Sequence, residues 1–155
     1  MRRKDKEISD ADAINAIIAK SNIIRIAIND GDFPYIVPFN YGFSENKFFI
    51  HSAKKGKKID LLKINHKVGF EIDYLNQTIT HEIPCEWTTK YQSIIGTGTI
   101  EVENKKEEII TGLDIIMKHH GKVGENSYKE SNLKNIVILK LTPLTLTAKQ
   151  SGEWN

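Results

Sequence analysis

The stretch Asn46-Lys47-Phe48-Phe49-Ile50-His51-Ser52-Ala53-Lys54-Lys55-Gly56-Lys57-Lys58-Ile59-Asp60-Leu61-Leu62 changes periodicity inside a basic cluster. Residues 47–52 read as a strand. From about Gly56 to Ile64 the apolar residues Ile59, Leu62 and Ile64 fall at helical spacing, and Asn65-His66 ends the run. Four lysines and a glycine therefore occupy a strand-to-helix junction. Unpaired backbone N–H groups and the positive end of a helix favour an anion at such a place, and a phosphate suits it. A solvated basic turn is the competing reading, because runs of charge often do no more than face water.

Working outward, 155 residues suffice for one domain with a real core, and 39% hydrophobic and 27% charged residues are ordinary for a soluble globular protein. The net charge of +2 gives no global basic field of the kind nucleic-acid binding needs. Basic residues are local: Arg2, Arg3, Lys4 and Lys6 at the start, then the 54–58 cluster. The single cysteine, Cys85, excludes a disulfide within the chain and fits a reducing cytosol. No apolar run follows the basic start and none is long enough to span a bilayer. The expectation is a cytoplasmic protein with no membrane and no nucleic-acid partner.

Toward the N-terminus, Ser9 followed by Asp12 resembles a capping arrangement for a helix through Lys20 that carries Ala13, Ile14, Ile17 and Ile18. Residues 23–28 read as a strand and Asn29-Asp30-Gly31-Asp32 as a hairpin turn leading to a second strand, 35–42. Pro38 cannot donate to a ladder, so that strand is an edge, or bulged, and its free backbone groups could bond a flat heterocycle. Phe43 to Lys47 reads as a turn. Toward the C-terminus, 67–75 alternates as a half-buried strand, 76–90 carries little signal, and 91–103 is a long strand containing Gly96 and Gly98. Glycines there predict a bulge or a close approach by backbone or ligand. A helix over 105–119, a polar connection over 121–134 and a last strand over 135–146 interrupted at Pro143 complete the chain. Hairpin-linked strands with few helices predict an antiparallel barrel or sandwich.

Among single residues, His51 stands out: with Ile50 inward it faces the opposite side of its strand, able to stack on a ligand or give a proton, although a lone histidine is often structural. His119-His120 ends a helix, and neighbouring helical residues point apart, so the pair does not chelate. With His66 and His81 unpartnered, no metal site is expected. The glycine-rich nucleotide loops and the nucleophile elbow are absent.

Three blocks together resemble the pyridoxamine 5'-phosphate oxidase-like, FMN-binding split barrels, and among them the 5-nitroimidazole antibiotic resistance (nitroimidazole reductase) family. They are Tyr35-Ile36-Val37-Pro38-Phe39-Asn40-Tyr41-Gly42; His51-Ser52-Ala53 with Gly56, Lys58, Asp60 and Leu62; and Cys85 with Tyr91, Ser93, Ile95, Gly96 and Gly98. The resemblance spans about residues 10 to 145. It implies a mainly β protein, a six-stranded antiparallel split β-barrel, that forms a homodimer with flavin at the subunit interface. By the same resemblance Ile36, Val37, Pro38, Phe39 and Asn40 would lie along the flavin ring, Ile50, His51 and Ser52 would border it, Lys57 and Lys58 would hold its phosphate, and Ser93 would supply a polar contact. Lys57-Lys58 stands where the oxidases proper have an arginine-lysine pair, and the chain stops at Trp154-Asn155 without their substrate-binding block, so vitamin B6 oxidation is not expected.

Those implications give three expectations. The first is an FMN-dependent (or FAD-dependent) oxidoreductase reducing a small-molecule electron acceptor such as a nitroaromatic, with His51 at the reaction. The second is a flavin-binding or sensing protein without catalysis. The third is a haem-binding split barrel, with His51, His119 or His120 as iron ligand.

Overall fold

The computed structural model describes residues 3–154, with Asn76 as backbone only; Met1, Arg2 and Asn155 lie outside the described residues. Its strands are β1 (Glu7–Ile8), β2 (Ile23–Asp30), β3 (Phe33–Asn40), β4 (Gly42–Ser44), β5 (Lys47–Ala53), β6 (Lys67–Ile79), β7 (Thr88–Glu103) and β8 (Ile136–Ser151). Its α-helices are α1 (Ala11–Lys20), α2 (Lys57–Ile64), α3 (Lys106–His119) and α4 (Glu130–Leu133). All strand pairs are antiparallel in one sheet ordered β3-β2-β6-β7-β8-β5-β4, with β1 on β8. The six long strands are those of the expected split barrel; β1 and β4 are short additions.

Alternation decides which face is core. Phe39, Ile24, Ile72, Ile94 and Ala148 lie in register across five strands, as do Val37, Ile26, Phe70, Gly96 and Leu146. Ile24, Ile72, Ile94 and Ile26 are all fully buried in the barrel interior. Ile17 and Ile18 of α1, and Ile59 and Leu62 of α2, join the same core. A second cluster, Phe49, Ile109, Ile116, Leu133 and Ile138, lies on the other side of β5 and β8, under α3 and α4. β5 is thus covered on both faces, which is why Phe48-Phe49-Ile50 is continuously apolar. Tyr41, fully buried between β3 and β4, donates its hydroxyl to the Ile18 carbonyl at 2.7 Å and ties α1 to the barrel.

The barrel is split between β3 and β5. β3 pairs only with β2, and the β4 ladder on β5 ends at Phe49. Beyond that point β3 and β5 approach each other with no ladder between them among the described residues. Pro38 lies in this edge strand, where its missing donor is tolerated.

Several boundaries differ from the sequence reading for identifiable reasons. The cap of α1 is Asp10, whose carboxylate accepts from the Ala13 N–H at 2.7 Å; Ser9 is not the cap. The segment read as one turn from Phe43 is a hairpin of β4 and β5, closed by Glu45 and Asn46 at φ 51° and 58°. β6 continues past 75 because Leu75 (φ 52°) forms a bulge that lets pairing with β7 resume at Asn76. β8 passes through Pro143 by a shift of register opposite Thr97 and Gly98, and the polar connection contains α4.

Candidate functional site at the barrel split

Gly56 enters α2 at φ 120°, a left-handed value that only glycine adopts readily, and no side chain caps the helix. The amides of Ile59 and Asp60 turn back to the Gly56 carbonyl, at 2.9 and 3.2 Å. The amides of Lys57 and Lys58 have no acceptor from within the helix. Both side chains reach across the split toward β3. The Lys57 ammonium lies 4.9 Å from the centre of the Tyr35 ring, and the Lys58 ammonium 5.9 Å from that of Phe39. Lys57 also pairs with Asp30 at the end of β2, at 2.6 Å. Hydrogen bonding to that carboxylate raises the lysine pKa, so the charge is secure. A strand edge without a ladder, two ammonium groups and an open helix start therefore frame one mouth.

The expected ring-contacting residues divide between two faces. Ile36, Pro38 and Asn40 point outward and are exposed, whereas Val37 and Phe39 are half-buried with Tyr35 toward the barrel. What they share is the free edge of β3. Ile50 and Ser52 are buried inside the barrel, and the Ser52 hydroxyl donates to the Ala53 carbonyl at 3.2 Å. Their side chains do not reach the mouth, which leaves only their backbone to border a ligand.

His51 alternates outward, opposite Ile138 on β8, and is exposed on the helical side of β5. There it lines a cleft of ≈ 630 Å³ with Leu113, Tyr128, Asn132, Leu133 and Ile136, a wall that excludes Lys57 and Lys58. The loop carrying Tyr128 is fastened to α3: the Tyr128 hydroxyl and the Asn126 amide both donate to Asp114, at 2.7 and 2.9 Å. Burial, then the bond to Asp114, raises the Tyr128 pKa well above the usual phenol range. Leu113 falls in the helix expected over 105–119, whereas Asn126, Tyr128 and Asn132 gave no sequence signal, because a polar loop shows no periodicity.

Ser93 sits on the outer face of β7, opposite Asp73 and Lys149. It is 8% exposed, and its hydroxyl oxygen has no hydrogen-bond partner among the described residues. It lines a small pocket of ≈ 130 Å³ with Ile95, Thr147 and Lys149. A buried hydroxyl in that condition is costly unless something else meets it. On the same face Arg25 pairs with Glu71 at 3.0 Å and with Asp73, while burial raises the Glu71 pKa against the pull of Arg25. Asp30 and this charged trio both escaped the sequence reading. A turn aspartate reads as turn chemistry, and a charged residue on a strand reads as its wet face.

His119 is not available to a ligand through Nε2, which lies 2.8 Å from the Ser21 carbonyl. The described residues contain no cluster of His, Cys, Asp and Glu that could hold a metal ion. No helix among them is long and apolar enough to cross a membrane.

Similarity to known proteins agrees with this architecture. A protein named for 5-nitroimidazole antibiotic resistance, from Bacteroides thetaiotaomicron VPI-5482, superposes with a TM-score of 0.81 at 27% identity over 93% of this chain and 86% of its own. The FAD and haem binding protein of Mycobacterium smegmatis superposes at 0.84 with 16% identity, over 96% of this chain and 75% of its own, a likeness of fold. An uncharacterised protein of Rhizobium meliloti (strain 1021) is 38% identical over 56 residues, 36% of each chain. The family model for pyridoxamine 5'-phosphate oxidase matches residues 10–150, so the chain belongs to the pyridoxamine 5'-phosphate oxidase family.

Proposed function

We propose that this chain is a flavin-dependent oxidoreductase that holds FMN, or FAD, at the barrel split within a homodimer and reduces a small acceptor such as a nitroaromatic. The observation that carries the reading is the reach of Lys57 and Lys58 across the split to β3. A phosphate there would meet two ammonium groups and the open start of α2, while the free edge of β3 offers backbone groups to a heterocycle. The orphaned Ser93 hydroxyl supports a polar ligand atom or a partner subunit on the outer face. The name of the Bacteroides relative supports a nitro compound as acceptor. When bound, the flavin would supply the redox chemistry, accepting a hydride and passing electrons on. The chain's own residues bind its phosphate, orient the ring and shape access for the acceptor. His51, exposed beside a largely apolar cleft, is the group we assign to stack on the acceptor or to hand it a proton.

The homodimer is supported by the outer face of the sheet. Ile36 is 59% and Ile95 54% exposed there, on rows completed by Ala27, Gly69, Thr97 and by Pro38, Arg25, Glu71, Thr147. A face that carries exposed Ile36 and Ile95 among small side chains and the paired charges of Arg25, Glu71 and Asp73 suits a second copy of itself.

The test is an absorbance spectrum of freshly purified protein, followed by mass spectrometry of any molecule released by heat. Yellow protein releasing FMN or FAD and oxidising reduced nicotinamide when an acceptor is added supports the reading. Bound flavin without turnover favours a flavin-binding or sensing protein, and a Soret band favours haem, as in the Mycobacterium relative. Colourless protein that takes up neither overturns it.

A further inference from the structure

Resting on that phosphate reading, we propose that Asp30 is a built-in competitor for Lys57, a carboxylate that lowers the affinity of the mouth for phosphate and makes it tunable. Lys57 and Lys58 are adjacent in sequence but unequal in circumstance. Lys57 is paired with Asp30 at 2.6 Å, whereas Lys58 has no carboxylate partner among the described residues and rests near the Phe39 ring. The pair is held from both ends, because Asp30 terminates β2 at the Gly31-Asp32 turn and Lys57 opens α2. The Tyr35 ring lies 4.9 Å from the same ammonium, on the β3 side.

A phosphomonoester carries close to two negative charges at neutral pH. It competes with one carboxylate for the same ammonium and is repelled by that carboxylate once bound. With Asp30 in place, the two lysines and the acid present a net single positive charge. Without it they present two. Riboflavin, which has the ring but no phosphate, is indifferent to the change.

The experiment titrates FMN and riboflavin into apoprotein, followed by flavin fluorescence, for the native chain, Asp30→Asn and Lys57→Met. Asparagine keeps the size of the residue and, like aspartate, suits the position just before the two-residue Gly31-Asp32 loop, so the β2–β3 hairpin is retained. The expected result is FMN binding tightened about fivefold by Asp30→Asn at low ionic strength, shrinking below about twofold near 1 M salt, with riboflavin unchanged. Lys57→Met should weaken FMN and leave riboflavin alone. FMN affinity unchanged or weakened in Asp30→Asn overturns the competitor role. A native chain that binds FMN no more tightly than riboflavin overturns the phosphate reading itself, a different and distinguishable failure.

Discussion

The ring of Phe70 fills the space that a side chain at position 96 would need: a Cβ built on Gly96 would lie 2.3 Å from Phe70 Cζ and 2.4 Å from the Thr145 carbonyl oxygen. Gly96→Ala therefore overpacks the barrel between β6, β7 and β8, and backbone on one side cannot yield. It should cost about 3 kcal/mol or more. Gly31→Ala, at φ 69° with open space around it, should cost roughly 1 kcal/mol from backbone conformation alone. Urea unfolding of the two variants checks the order, and equal midpoints would contradict it.

That contrast shows what the sequence could and could not say. Glycines at 96 and 98 announced a close approach, but not its source. A ligand and the protein's own Phe70 leave the same mark in one dimension, and here the neighbour is Phe70 with the β8 backbone. The resemblance set the lysine junction and the Pro38 strand around one ligand, and Lys57 and Lys58 do reach Tyr35 and Phe39. The turn before β5 was legible, but β4 as a separate strand was not, since Gly42–Ser44 is three residues long and Glu45 and Asn46 take positive φ without a glycine to mark the tight end. Whether His51 shares a cavity with the lysines depends on the packing of α3 and α4, which local pattern does not encode.

Loss of both site lysines should weaken flavin binding. Lys57→Ala, Lys58→Ala should raise the FMN Kd by about tenfold or more in dilute buffer and by less as salt screens the charges that remain in the native chain. Fluorescence titration at two ionic strengths measures it. An unchanged Kd in dilute buffer would return the cluster to a wet basic turn.

At His51, replacement by Ala should lower turnover with a nitroaromatic acceptor more than it lowers flavin affinity, because the side chain lines the α3–α4 cleft and not the lysine mouth. A loss of about tenfold or more in kcat with FMN Kd within about twofold is the expected split. Native turnover in the variant would remove His51 from the reaction.

Association is tested at Ile95, 54% exposed in the middle of the outer face. Ile95→Glu places a charge in the face proposed for dimerisation, next to Glu71 in register. Sedimentation should show the native chain as a dimer and the variant as a folded monomer with weakened flavin binding. A dimeric variant would move the interface elsewhere.

Acidification should loosen the joint between α1 and α3. Burial holds the His119 pKa below the ordinary imidazole value; the Ser21 carbonyl opposes that shift and His120 adds to it. The unfolded chain binds the proton more readily, so stability from this site is present above an ordinary pKa of about 6.5 and declines as pH falls toward the folded value. Urea midpoints at pH 7.5 and 5.5 should differ more for the native chain than for His119→Gln; equal slopes would assign the loss to other groups.

The free edge of β3 has a consequence of another kind. An edge without a ladder partner is open to a strand of another molecule, the first step of uncontrolled aggregation. Two of the eight residues of β3, Pro34 and Pro38, are prolines, and neither can donate to an incoming strand. A small planar molecule needs only a few backbone groups, whereas a growing sheet needs an unbroken row. The prolines leave room for the first and refuse the second, so the strand proposed to meet a ligand is also the one guarded against pairing with other chains.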